Sequence, residues 1–253
     1  MSIKGLVTKH VVLFIMQTQK INLSLNGKML PTRQLIGQSV HDALVEMNRL
    51  SGDACGETCF PAKASPFDIR KLICLYAITP SIEGMHSIMM FTKLYDAEFV
   101  LLIDRNLKVF QIPLENIPSE LFKGSLIDGV LTVSKKGVPT FVRSDAWIVA
   151  GVDVSTLHWG DRVTQMRASF QGFKSRAKDC VKFADWDWPM PEPASVEKRL
   201  KKVQDEYHTK GYLMAHITSA PGADFFEIEH SEQGEQLTAK IIKTSTDLYM
   251  KNC

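Results

Sequence analysis

Apolar and polar residues alternate from Ile21 to Leu30 about an Asn26-Gly27 step, the pattern of two short strands joined by a tight turn. The run just before, Val11 to Met16, is continuously apolar, far too short to span a bilayer, and reads as a core strand. From about Ser39 the period changes. Ile36, Val40, Ala43, Leu44, Met47 and Leu50 fall at helical spacing, Gly52 is placed to stop the helix, and Ser39 with Asp42 resembles a capping box. Ser65-Pro66-Phe67-Asp68 opens a second short helix, with serine at the cap and proline in the first turn.

Between about 86 and 152 the pattern turns β-rich. Strands are expected at His86–Phe91, Glu98–Ile103, Lys108–Ile112, Ser125–Val133 and Thr140–Val149, with a short helix near Pro118–Phe122 and a turn at Lys136-Gly137. This spacing predicts an antiparallel sheet. A proline-studded connection, Trp186 to Pro193, leads into a helix whose apolar face is Val196, Leu200, Val203 and Tyr207; its basic cluster, Lys198 to Lys202, reads as a solvated face. Tyr212–Thr218 and Leu237–Ile242 are the last strand candidates. With no internal repeat or long linker, the chain reads as one compact α+β unit, residues 1–55 supplying strands and a helix that pack on residues 56–253.

Composition changes this picture little. The 253 residues carry a net charge of +2, so any basic footprint for nucleic acid must be local. Five cysteines (Cys55, Cys59, Cys74, Cys180, Cys253) are an odd number at irregular spacing, which argues for a reducing, intracellular compartment; cytoplasm and nucleus are not distinguished. Cys55 and Cys59 have no second Cys/His pair at zinc spacing. A phosphate-cradling G-x-x-x-x-G-K, a G-x-S-x-G elbow and an H-E-x-x-H are absent, so no metal site, membrane partner or generic catalytic motif is expected.

One stretch carries more. Tyr76-Ala-Ile-Thr-Pro-Ser81-Ile-Glu83-Gly84-Met-His86 resembles the nucleotide-binding core of mRNA-capping guanylyltransferases, in which a tyrosine precedes the lysine of K-x-D-G-x-R. The resemblance extends in order over roughly residues 60 to 250. Phe60-Pro61-Ala62 and the Asp68–Leu72 helix come first. Phe99 to Asp104-Arg105-Asn106, with Val109-Phe110, is similar to the family's I-D-R and V-F block. Gly124-Ser-Leu-Ile-Asp128-Gly129-Val130 is similar to L-L-D-G-E, and Phe141 to Trp147 resembles Y-L-I-Y-D-I. Tyr207 to Lys210-Gly211 is similar to H-E-x-D-G-L-I-F, and Lys240 with Lys243 lies near the expected K-x-K. The resemblance implies a nucleotidyltransferase domain of the ligase and capping-enzyme superfamily, with antiparallel sheets and flanking helices. The chain ends where the family's OB-fold lid would begin, so no lid is expected.

The family's lysine attacks the α-phosphate of GTP with help from a divalent metal and nearby cations. Here Ser81 stands in the lysine's place, His86 in that of the arginine, Val130 in that of the D-G-E glutamate, and Lys210 in that of an acidic residue. The implied reading is a catalytically inactive guanylyltransferase-like domain that binds a guanine nucleotide, an RNA 5′ cap or a protein partner. Nucleotide-binding candidates are Glu83, Gly84, His86, Asp104, Arg105, Phe110, Asp128, Lys210, Lys240 and Lys243, with no catalytic residue assigned. Core packing competes with a stacking role for Phe110, and a structural ion pair with a ligand contact for Arg105. Trp147, Trp159, Trp186 and Trp188 are candidates for stacking on a methylated guanine, again against core packing. A cap-binding precedent is the trimethylguanosine-cap domain of snurportin, which shares the implied fold without catalysis.

Two alternatives remain. One is a divergent active guanylyltransferase using Mg or Mn, with Lys93 or Lys210 as nucleophile; Lys93 to Glu98 also offers a second, less well spaced register for the lysine motif. The other is a structural interaction module that binds no nucleotide.

Overall fold

A computed structural model describes residues 16–52, 76–112, 114–173, 181–185, 193–216 and 225–229. The expected hairpin is β1 (Thr18–Leu25) and β2 (Lys28–Leu35). Asn26 and Gly27 take φ of 47° and 76°, the two positive values that a tight hairpin turn needs to match the strand twist. Helix α1 (Gln38–Ser51) ends at Gly52, φ 56°, as its position predicts. The capping box is a correction: no side chain caps α1, whose N-cap is Gly37. Ser39 is buried within the first turn, and its Oγ accepts a 2.8 Å hydrogen bond from the Gln17 backbone N–H, tying the entry of β1 to the helix.

Then follow β3 (Tyr76–Ile82), β4 (Met85–Leu94), β5 (Ala97–Asp104), β6 (Val109–Gln111), a 3₁₀ turn (Ser119–Lys123), β7 (Ser125–Val133), β8 (Pro139–Val149) and β9 (Val152–Asp153). The rest is α2 (Trp159–Ser169), β10 (Lys182–Asp185), α3 (Pro193–Glu206), β11 (Thr209–His216) and β12 (Phe225–Glu229). The larger sheet runs β1-β2-β6-β5-β4-β7-β8-β10, with β9 on β8; the smaller is β12-β11-β3. The architecture is α+β and mostly antiparallel. One pairing departs from the purely antiparallel expectation: β10 lies parallel to β8. The chain leaves β8, passes through α2 and returns in the same direction, a crossover that gives parallel neighbours. Helix α2 and strands β10 and β12 were not expected from the pattern. The expected elements at Ser65–Asp68 and Leu237–Ile242, and that at Val11–Met16 except for Met16, lie outside the described residues.

Each face of the large sheet has its own core. On one, Ala43 and Met47 of α1 pack with Leu35, Ile88, Met90, Leu101 and Trp147. On the other, Phe91, Ile127 and Phe141 meet Val163 and Met166 of α2, Val203 of α3 with Tyr207 just beyond its end, and Ile82 and Leu213 of the smaller sheet. Phe170 lies between Phe91 and Phe183, with ring centroids at 5.6 and 5.4 Å. No helix among the described residues is long and apolar enough to cross a membrane.

Helix α2 is held by a charge. Arg162, fully buried, points a fork at Asp145 of β8, with Nε to Oδ1 and Nη2 to Oδ2 both at 2.8 Å. Its Nη1 donates to the Leu157 carbonyl at 2.7 Å. A buried pair adds little over an apolar replacement, but removing one partner strands the other's charge in the core. Arg162→Met alone is expected to cost about 3–5 kcal/mol in urea unfolding, with much of the loss recovered in Asp145→Leu/Arg162→Met. Equal midpoints for wild type and the single variant would contradict this.

Candidate functional site

The stretch of β3, a two-residue turn and β4 brings the family-like segment to the junction of the two sheets. Ser81 lies in β3 opposite Gly211 of β11 and is 0% exposed, so its hydroxyl is enclosed at the sheet junction. One residue earlier on β11 the register shifts between Thr209 and Gly211. A bulge of this kind re-aims a side chain, here the exposed Lys210.

The turn itself is fixed through its backbone. Glu83 N–H donates to the His208 carbonyl at 2.8 Å, and its carbonyl accepts from Thr132 Oγ1 at 2.5 Å and Asn26 Nδ2 at 3.3 Å. Gly84 seats against β7: a Cβ there would stand 2.5 Å from the Leu131 carbonyl oxygen and 2.6 Å from Val130 Cγ1. A side chain cannot be added without moving backbone.

Beside this turn is a pocket of about 250 Å³ lined by Gly84, Met85, His86, Asp104, Arg105, Asn106 and Lys210. Five of the sequence candidates therefore converge: Gly84, His86, Asp104, Arg105 and Lys210. Asp104 builds the wall. Its Oδ1 accepts backbone N–H bonds from Asn106 at 2.8 Å and Lys108 at 2.9 Å, closing the β5–β6 turn that carries Arg105. Leu107 in that turn has φ 58°, a left-handed conformation that a branched side chain rarely takes, held here by the Asp104 bonds. The lining thus combines the cations of Arg105 and Lys210 with the Asp104 carboxylate, whose Oδ1 is held by backbone donors.

Asp128 of β7 lies in the same neighbourhood, buried and outside the lining. Its Oδ2 accepts a 2.5 Å hydrogen bond from Ser144, and its Oδ1 has no hydrogen-bond partner among the described residues. Burial pushes its carboxyl up to about 7; Asp145 adds to the rise, while Ser144 and Arg105 oppose it. Burial also raises the Asp145 carboxyl, and the Arg162 fork opposes that rise.

The other candidates go elsewhere. Phe110 is 2% exposed in the core shared with α2, and is not among the residues lining this pocket. Trp147 packs in the α1 core and Trp159 in the α2 core, on opposite faces of the sheet. Glu83 is half-buried and acts here through its backbone. Trp186, Trp188, Lys240, Lys243, Cys55 and Cys59 lie outside the described residues. Lys93 pairs with Glu98 at 3.5 Å near the far end of β4, roughly 23 Å along the strand from His86. Two lining residues went unnoticed in the sequence, Met85 and Asn106; Asn106 follows Arg105 in a tight turn, which was the available signal.

No group of three or more His, Cys, Asp or Glu side chains gathers among the described residues. Asp104 spends an oxygen on the backbone, and Asp128 is enclosed.

No protein-family model matches the chain. Among solved structures it is similar to one described as mycobacterial DNA ligase D complexed with ATP and MES, at 12% identity and a TM-score of 0.43, over 68% of this chain and 59% of that one. It is similar at the same TM-score and 10% identity to one described as Pmar-Lig_Pre, over 68% of this chain and 46% of that one. The chain thus spans about half the length of the solved chains it matches, and likenesses this distant assign neither substrate nor reaction.

Two outcomes are expected. Gly84→Ala overpacks the turn against β7 and lowers stability by about 1–3 kcal/mol in thermal unfolding; an unchanged melting temperature would contradict the close approach. For Asp128, the folded state keeps its proton up to about pH 7, whereas the unfolded chain releases it near pH 4. Folding stability therefore falls as pH rises from about 4 to 7 and holds its penalty above. Urea midpoints compared at pH 5 and pH 8 should differ less in Asp128→Asn than in wild type. An equal or larger difference in the variant would remove Asp128 as the source.

Proposed function

We propose that this chain is a guanylyltransferase-like domain that has lost the transfer step and holds the phosphate end of a guanine nucleotide or an RNA 5′ cap. The observation behind this reading is one contrast. Arg105 and Lys210 arrive in the same pocket as His86 and Gly84, while the position corresponding to the family's nucleophile is a serine 0% exposed within β3.

Each half has a physical consequence. A guanidinium and an ammonium at one small pocket favour phosphate oxygens, the arginine through paired N–H donors. At about 250 Å³ the pocket is below the usual range for a whole drug-sized ligand. It suits a phosphate group with part of a ribose, the base extending past it. Because Phe110 lies in the core, base discrimination in this reading does not come from stacking on that ring. An enclosed hydroxyl is poorly equipped to attack an α-phosphate.

A second reading keeps activity, with Lys210 as nucleophile. The bulge that places Lys210 beside the Ser81–Gly211 pair is the observation that favours it.

Calorimetric titration with GTP and 7-methyl-GTP, together with adduct formation from α-labelled GTP and manganese, separates these readings. The first expects both ligands to bind within about threefold of each other and Arg105→Ala or Lys210→Ala to weaken each by about tenfold, near 1.4 kcal/mol. It also expects no covalent label. An acid-labile adduct lost in Lys210→Arg would establish the second reading instead, and absence of binding to either nucleotide would reject the first.

A further inference from the structure

A larger opening lies on the β1–β2–β6 side of the molecule, among residues unlike those of the pocket above. It is an open groove of about 590 Å³ whose lining includes Lys20, Asn22, Pro31, Arg33 and Gln111. Lys20 and Arg33 face each other directly in the β1–β2 ladder, and Arg33 is in turn opposite Gln111 of β6. One transverse row across three strands thus carries two cations and an amide, with Asn22 two residues further along β1.

This row is costly by itself. Like charges directly opposite on neighbouring strands repel and destabilise the pair. Both side chains are exposed, and neither makes a hydrogen bond or ion pair among the described residues. Nothing in the fold requires the pairing, since the Asn26-Gly27 turn already sets the register of this hairpin. An external anion would remove the repulsion.

We propose that this groove binds the phosphodiester backbone of a single nucleic-acid strand, through Lys20 and Arg33 with Asn22 and Gln111 as amide donors. Three features select that class of ligand. Two adjacent cations suit consecutive charges on one chain more than one compact anion. Amide side chains beside lysine and arginine are common donors to phosphate and sugar oxygens. The described lining has no aromatic ring on which a base could stack, so contact is to the backbone and free of sequence preference. A free mononucleotide would have no hold for its base here. An acidic peptide lacks the condensed counterions whose release gives strands their steep salt dependence. The site is separate from the Arg105–Lys210 pocket and does not depend on the reading given to it.

The test is fluorescence anisotropy of labelled 20-mers of oligo-uridylate and oligo-deoxythymidylate, titrated with the full chain between 50 and 200 mM NaCl. Both strands are expected to bind, since the shared chemistry is the phosphodiester; tighter binding of the ribo-strand would add a 2′-hydroxyl contact to the same site. Lys20→Ala/Arg33→Ala should weaken binding by about tenfold at the lower salt. It should also flatten the slope of log affinity against log salt by about 1.4, near 0.7 for each phosphate that is no longer neutralised. Lys20→Arg/Arg33→Lys keeps both charges and should keep the slope, which separates removal of the charges from damage to the fold. Arg105→Ala/Lys210→Ala should leave the slope unchanged, so failure here and failure of the nucleotide reading are told apart. An unchanged slope in the double alanine variant, no binding of either strand, or equally effective displacement by poly-glutamate would overturn the proposal.

Discussion

Two carboxylates face each other inside this protein, and one guanidinium decides how they share the interior. Asp128 and Asp145 are directly opposed on β7 and β8, both almost fully enclosed. Arg162 comes from α2 and binds Asp145 through both oxygens, so α2 is positioned by the charge it neutralises. Asp128 has a serine hydroxyl, the Gly129 backbone N–H and the field of Arg105, and burial outweighs them and drives this carboxyl toward neutrality. Like charges this close do not both ionise at low cost. The division of labour fixes α2 against β8 and leaves Asp128 with a raised carboxyl pKa inside the sheet.

The glycines of the family-like segments persist for a reason independent of chemistry. Gly84 must clear the Leu131 carbonyl, and a Cβ on Gly129 would lie 2.5 Å from the Val142 carbonyl and 2.7 Å from the Phe141 ring. Both are places where backbone meets backbone or ring with no space between. The fold itself needs glycine at both positions, whatever the chain does chemically. Ser81, 0% exposed in β3 opposite Gly211, is likewise constrained by packing.

Much of the framework was legible, and what was missed has definite causes. Asn26-Gly27 and Gly52 announced their positive φ values, and β4, β5, β7 and β8 follow apolar runs broken by turn residues. Helix α2 was hidden because its inward face, Trp159, Arg162, Val163 and Met166, includes an arginine, which pattern reading assigns to solvent. The capping box failed because Ser39 serves Gln17 across a fold contact that local spacing does not record. Strand β10 is only Lys182–Asp185, too short for alternation to show, and its parallel pairing depends on where α2 lands. At the site, five residues singled out by the ordered motifs line one pocket, Gly84, His86, Asp104, Arg105 and Lys210. Side-chain direction was not available from order alone; Phe110, Trp147 and Trp159 turn inward, the core-packing side of the alternative that the sequence left for each.

The reach of the β1–β2 hairpin has a kinetic consequence. Asn26 at its tip binds Thr132, 106 residues along the chain, and Lys28 binds the Gly137 carbonyl in the β7–β8 turn. The hairpin's own turn is local and forms on the timescale of microseconds. Its docking must wait until β7 and β8 exist, because closing so long a loop gains nothing before the partner surface is assembled. This hairpin is therefore among the last elements to be seated, and during that interval its apolar side, Leu25 and Leu30, is open to other chains.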